Sequence, residues 1–141
     1  KKDRAEFDRL LSCLVAPNQA WAKAAPVLAL GIASLKFTRN GKDNRAAVYD
    51  LGMAAGNLTV EATARWLFVH QMIGILPDRA KEIYSIPAGH EAWTGLAIGY
   101  KADASKLPDA LKERDLAPRQ RKPLKEFVFG GKWGVISPHV S

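Results

Sequence analysis

Two short stretches carry the residue types that could do chemistry: His70-Gln71-Met72-Ile73-Gly74, and Pro118-Arg119-Gln120-Arg121-Lys122-Pro123-Leu124. In an extended chain alternate residues face the same way, so Arg119 and Arg121 can aim two guanidiniums at one phosphate while Lys122 points elsewhere. A solvated basic tail is the plainer reading of the same charges. The other reactive residues stand alone. His70, His90 and His139 lie far apart, with no second His, Cys or carboxylate at metal-ligand spacing, so no metal site is expected. Cys13 sits among Leu11, Leu14 and Val15, which marks a buried structural thiol rather than a nucleophile. Ser12 and Ser34 lack the glycines of a nucleophile elbow. Gly130-Gly131 and Gly134 are followed by neither a Lys-Ser/Thr pair nor a helix, so there is no phosphate loop and no dinucleotide fingerprint. No side chain is assigned a catalytic role.

Charge narrows the partners. Lys and Arg number 21 against 14 Asp and Glu, a formal charge of +7 that draws anions of any size. The densest cluster, Arg119, Arg121, Lys122 and Lys125, flanks Pro118 and Pro123 and reads as an extended segment rather than a recognition helix. That suits a localised anion better than a duplex, and no nucleic-acid partner is expected. A chain of 141 residues, 48% of them hydrophobic, has enough apolar surface for one compact domain, residues 1–141. No apolar run approaches the roughly 18 residues of a membrane span, so no membrane partner is expected. Cys13 is the one cysteine and the amino terminus lacks a secretory layout, both of which favour a reducing, cytoplasmic home.

The elements that must position these stretches follow from periodicity. Phe7, Leu10, Leu11 and Leu14 recur at helical spacing and predict an amphipathic helix over 3–14 that ends before Pro17. Asn18 caps a second short helix to Ala25, and the apolar run Val27 to Leu35 fits a strand buried on both faces. Lys36 to Asp43 is a polar connection turning at Asn40-Gly41. Asn44 to Leu67, free of proline and rich in alanine, predicts a helix roughly 36 Å long. Its glycines Gly52 and Gly56 each cost about 1 kcal/mol relative to alanine, which close approach of another helix or a flat ligand would offset; ordinary packing within one subunit serves equally. Phe68 to Met72 reads as a short extended segment, Pro77 to Tyr84 as a helix and Trp93 to Tyr100 as a second buried strand. A short helix over 109–115 follows. Phe127-Val128-Phe129 could add a strand to a sheet edge, with a tight bend at Gly130-Gly131. The whole predicts an α+β sheet with flanking helices around a long central helix, the sheet incomplete within the chain.

From Glu6 to Trp133 the sequence resembles the carboxy-terminal two-thirds of the nitroreductase family. The resemblance is carried by Asn18-Gln19-Ala20-Trp21, by Asp50-Leu51-Gly52 and Asn57-Leu58-Thr59, by Tyr84-Ser85-Ile86-Pro87, by Ala97-Ile98-Gly99-Tyr100, and by Arg121-Lys122-Pro123-Leu124 with Glu126. It implies a homodimeric oxidoreductase in which flavin mononucleotide (FMN) passes hydride from NADH or NADPH to nitroaromatics, quinones or similar flat acceptors. It implies also that Arg119 and Arg121 contact the flavin phosphate, and that the backbone at Met72, Ile73 and Gly74 lies against the ring near N5. The helix Asn44 to Leu67 would form the dimer core, and residues 116–141 would be a tail packed on the partner subunit, adding a strand there.

The sequence also departs from the family. Members open with a further amino-terminal segment that bears an Arg and a Ser for the phosphate and an Asn-x-Gln-Pro-Trp-type stretch near the ring, so the expectation is that these 141 residues alone bind flavin poorly or not at all and that residues upstream of Lys1 complete the pocket. Trp66 stands where the family usually has glycine, and Ile75-Leu76 replace a common Phe-Asp pair. The alternative expectation is a truncated, non-enzymatic dimeric module that binds no flavin or binds another anion.

Overall fold

The computed structural model describes residues 3–140, which form two compact units, one ending at Lys101 and the other beginning at Ala102. The first unit holds, in chain order, α1 (Arg4–Leu11), α2 (Ala16–Ala22), β1 (Val27–Ser34), α3 (Ala47–Ala64), β2 (Phe68–Met72), α4 (Pro77–Tyr84) and β3 (His90–Gly99). The strands make one open antiparallel sheet in the order β1-β3-β2. The fold is thus the mixed helix-and-strand class that the periodicity predicts.

Local chemistry sets the ends of these elements. The Asp3 carboxylate accepts the Glu6 N–H and starts α1, which stops at Leu11, three residues short of the expectation, where the backbone tightens into a turn ahead of Pro17. Pro17 lies inside α2 rather than before it, because a first-turn proline gives up no intrahelical hydrogen bond. The Asn40-Gly41 turn forms as expected, with Gly41 at a φ of +68° and Lys36 paired with Asp43 across it. Helix α3 is shorter than predicted at both ends. Asn44 instead makes a turn, its side chain accepting from the Ala46 N–H. At the far end Trp66 adopts a left-handed φ of +60°, and the N–H groups of Trp66 and Leu67 return to the carbonyls of Thr63 and Ala62. This is the double-bonded helix stop that glycine usually supplies.

The core gathers Cys13, Leu14, Ala22, Met72, Ile75, Ala80, Ile86, Ala92 and Ala97, joining α2, α4 and the segments beside them to the sheet. The central strand β3 is well covered, with Ala92, Gly95, Leu96 and Ala97 buried. The expectation that Val27 to Leu35 is buried on both faces needs correction: Val27 and Ile32 are exposed and Gly31 and Ala33 alone are buried, because β1 is an edge strand. Helix α3 lies across β1 and β2. Contact is close at Gly31, where an added Cβ would come within 2.6 Å of the Thr94 methyl and 3.2 Å of Leu51.

The second unit contains a 3-10 turn (Ala104–Lys106), α5 (Asp109–Leu116) and a second 3-10 turn (Leu124–Glu126). Phe127-Val128-Phe129 does not form a strand among the described residues. Phe129 makes one isolated bridge to Ile136, closed by hydrogen bonds from Gly130 to Val135 and from Ser137 to Val128, and its ring packs on Trp133 at 5.1 Å. With no sheet edge paired to it, the segment folds back on its own turn, and the expected bend at Gly130-Gly131 is part of that turn.

Candidate functional site

The residues that leave β2 are held from the other side of the fold. Segments 13–15 and 74–76 form a two-rung antiparallel bridge centred on Leu14 and Ile75, with the Val15 N–H donating to the Gly74 carbonyl at 3.0 Å and the Leu76 N–H to the Cys13 carbonyl at 2.7 Å. Leu14 is fully buried beneath it. The Ile75 N–H returns to the Ile73 carbonyl at 2.8 Å, a three-residue turn about Gly74. This turn presents Ile73 to solvent, 90% exposed, while its neighbours Met72 and Ile75 are buried.

Beside Ile73 lies a cleft of about 280 Å³. Val48, Leu51, Gly52 and Ala55 of α3 form one wall, and Gln71, Met72 and Ile73 with Trp93 and Thr94 of β3 form the other. Trp93 and Thr94 are consecutive, and in a regular strand they would face opposite ways. A β-bulge lets both line the cleft: Gly31 pairs with Thr94 and Ile32 with Ala92, leaving Trp93 as the extra residue. Gly52 leaves the α3 wall low, since a Cβ there would meet nothing within 4 Å.

Several polar groups around the cleft are engaged. The Gln71 side-chain amide donates to the Thr59 hydroxyl at 2.9 Å, tying β2 to α3, and the Thr94 hydroxyl donates to the Met72 carbonyl at 3.0 Å. The Gly74 carbonyl accepts twice, from Val15 and from the Asn18 side-chain amide, each at 3.0 Å. The Gly74 N–H has no hydrogen-bond partner among the described residues. An apolar slot open on one side, next to an unused backbone donor on a fixed turn, suits the edge of a flat heteroaromatic ring that carries an acceptor atom.

Of the predicted site residues, Met72 and Ile73 line this cleft, and Gly74 follows them in the turn without lining it. Arg119 and Arg121 belong to the second unit, on an irregular stretch between α5 and the second 3-10 turn rather than on a strand. Both are exposed, and Arg121 donates to the Gln120 carbonyl at 3.0 Å. Sequence reasoning missed Trp93 and Thr94 as lining residues, because a bulge depends on the partner strand. It missed also the contact of Asn18 with Gly74, 56 residues away. The Asn18-Gln19-Ala20-Trp21 stretch was the available signal for it.

Cys13 is fully buried and burial pushes its thiol up from the usual value, away from the thiolate a nucleophile needs. Among the described residues no three His, Cys, Asp or Glu side chains gather at metal-binding range, and no helix is long and apolar enough to cross a membrane. A larger cleft of about 400 Å³ is lined by Leu10, Leu30, Ile32, Tyr84, Ile86, Pro87 and His90; it is mostly apolar, and the buried His90 Nδ1 has no hydrogen-bond partner among the described residues.

No protein-family model matches the sequence. A curated relative from Mycolicibacterium smegmatis, an uncharacterized 15.4 kDa protein in the ask 5′ region, is 34% identical over 127 residues, which cover 88% of this chain and 82% of the relative. Among solved structures, an oxidoreductase containing FMN is 34% identical and superposes with a TM-score of 0.86, over 95% of this chain and 69% of that one. A nitroreductase family protein from Clostridium difficile shares the fold, with a TM-score of 0.65 at 20% identity over 94% of this chain and 71% of that one.

Proposed function

We propose that the chain, which is 34% identical to an oxidoreductase containing FMN and shares its fold with a nitroreductase family protein, is an FMN-dependent oxidoreductase of the nitroreductase family that takes electrons from NADH or NADPH and delivers them to a flat acceptor such as a quinone or nitroaromatic. The observation that carries the proposal is the unpartnered Gly74 N–H on the turn that follows Met72 and Ile73, which line the cleft at the exit of β2. A buried or half-buried backbone donor without a partner is uncommon, and a flavin ring edge supplies the acceptor it lacks. When bound, FMN supplies the two-electron chemistry, which is why no catalytic triad is needed. The chain's own part is to bind and orient. Met72, Ile73 and Gly74 hold the ring edge, Gly52 leaves space for it along α3, and Trp93 shields it from water. Arg119 and Arg121 hold the phosphate, since paired guanidiniums match its oxygens in both charge and geometry.

The same reading includes a cytoplasmic homodimer built on α3. Tyr49, Met53, Gly56 and Val60 fall at four-, three- and four-residue intervals and make one stripe along that helix. Tyr49 is 69% and Val60 72% exposed, and a Cβ at Gly56 would meet nothing within 4 Å. A lone copy leaves this stripe in water, and a second α3 would cover it. Residues 116–141 then pack on the partner, where Phe127-Val128-Phe129 gains the sheet edge it lacks in one chain.

The test is oxidation of NADH or NADPH in the presence of added FMN, followed optically with menadione or a nitrofuran as acceptor. The expected result is turnover that requires protein, flavin and acceptor together. Absence of turnover with every donor and acceptor pair would leave the chain a non-enzymatic member of its family.

A further inference from the structure

The Gly74 turn is locked by a side chain outside it. Peptide groups are rigid plates, so fixing one edge of a plate fixes the other. The plate between Gly74 and Ile75 is held at its carbonyl by the Val15 N–H and the Asn18 amide, both at 3.0 Å. Its opposite edge, the Ile75 N–H, donates at 2.8 Å to the Ile73 carbonyl. That carbonyl belongs to the preceding plate, whose other edge is the unpartnered Gly74 N–H. Two hydrogen bonds therefore connect Asn18 to the direction of the free donor.

Asn18 is itself oriented. The Trp21 indole N–H donates to Asn18 Oδ1 at 3.4 Å, which leaves the Asn18 NH2 group to face Gly74. Trp21 is braced in turn by the edge of the His70 ring, at 4.5 Å between centroids and an interplanar angle of 64°. Packing excludes a looser arrangement. A Cβ on residue 74 would collide with the Asn18 amide nitrogen and approach the Val15 side chain to 2.9 Å, so glycine is required if Asn18 is to reach the carbonyl.

We infer that Asn18 is a positioning residue: by clamping the Gly74 carbonyl it aims the Gly74 N–H at the acceptor atom of the bound ring, and so sets how strongly the site holds and tunes the flavin. The inference rests on the reading that FMN lies against Ile73-Gly74. A hydrogen bond to a ring nitrogen alters both the affinity and the electronic spectrum of a flavin, and a purely structural role for Asn18 would not move the spectrum.

The experiment compares wild type, Asn18→Asp and Asn18→Ala. The first keeps the shape but puts an acceptor where the donor was, and the second removes the amide. A variant at a distant hydrogen bond, Glu6→Gln, which weakens the 2.7 Å contact with the Tyr84 hydroxyl, serves as a stability control. FMN affinity is read by fluorescence quenching, and the long-wavelength absorption band of the bound flavin is recorded. Both Asn18 variants are expected to bind FMN about tenfold or more weakly, with the band displaced toward that of free FMN, while Glu6→Gln keeps the wild-type band. Wild-type affinity and band position in either Asn18 variant would overturn the inference and leave the flavin reading standing. So would a wild-type protein that binds FMN with the spectrum of the free cofactor, even if neither variant folds. Failure of wild type to bind FMN would remove the flavin reading itself, and the inference with it.

Discussion

At the scale of single residues, Trp66 is the oddest choice in the chain. A left-handed backbone costs an L-residue roughly 1–2 kcal/mol, and glycine escapes most of that cost. Here a tryptophan occupies the position with its side chain 81% exposed, so little burial offsets the strain. Trp66→Gly is therefore expected to stabilise the protein by about 1 kcal/mol, seen as a higher denaturation midpoint in urea at fixed protein concentration. A lower midpoint would mean that the indole makes contacts in the assembled protein worth more than the strain. The arginines make a sharper residue-level case. A charge-assisted hydrogen bond contributes about 1.5–3 kcal/mol. Reversing either Arg119 or Arg121 to Glu should therefore raise the Kd for FMN about tenfold or more. Riboflavin, which lacks the phosphate, should bind each variant as it binds wild type. Equal losses for both ligands would show that the substitutions damage the fold rather than a phosphate contact.

Among the elements, α3 carries the heaviest demand, because it supplies one wall of the cleft and, on the proposed reading, the dimer interface. Met53→Glu places a charge in the middle of the exposed stripe without touching the cleft wall of Leu51 and Ala55. Sedimentation equilibrium is expected to show a dimer for wild type and a monomer for this variant at micromolar concentration. A wild-type protein that is monomeric there would refute the interface. How well the elements could be read from sequence depended on how local their determinants are. The ranges of β2 and α4 agree residue for residue with expectation, since a proline at the first helical position and a short β-rich run are signals contained within the element. The ends of α3 were misjudged because no proline interrupts the sequence from Asn44 to Leu67, while a turn at one end and a left-handed tryptophan at the other end the helix. For the site, Met72, Ile73 and Gly74 were legible through a family resemblance rather than through any reactive group. Asn18, Trp93 and Thr94 were not, since a clamp and a bulge exist only once distant strands are paired. The burial expected on both faces of β1 failed for the same reason: apolar content does not say whether a strand lies at the centre or the edge of its sheet.

At the scale of the whole molecule, the proposed function asks the first unit to hold a flavin ring and the basic segment of the second unit to hold a phosphate. The cleft of about 280 Å³ is small for a complete cofactor, so on the proposed reading the remaining contacts come from outside it. The phosphate end is assigned to Arg119 and Arg121 and the ring edge to Gly74, which makes binding of the intact nucleotide the most direct check on the central claim. The decisive measurement is an equilibrium titration of the purified, flavin-stripped full-length protein with FMN, followed by flavin fluorescence together with the sedimentation of the yellow complex. The account predicts saturable binding of one FMN per chain, with the flavin co-sedimenting with the dimer. A fluorescence signal that never saturates, with all flavin remaining at the sedimentation rate of the free nucleotide, would contradict it.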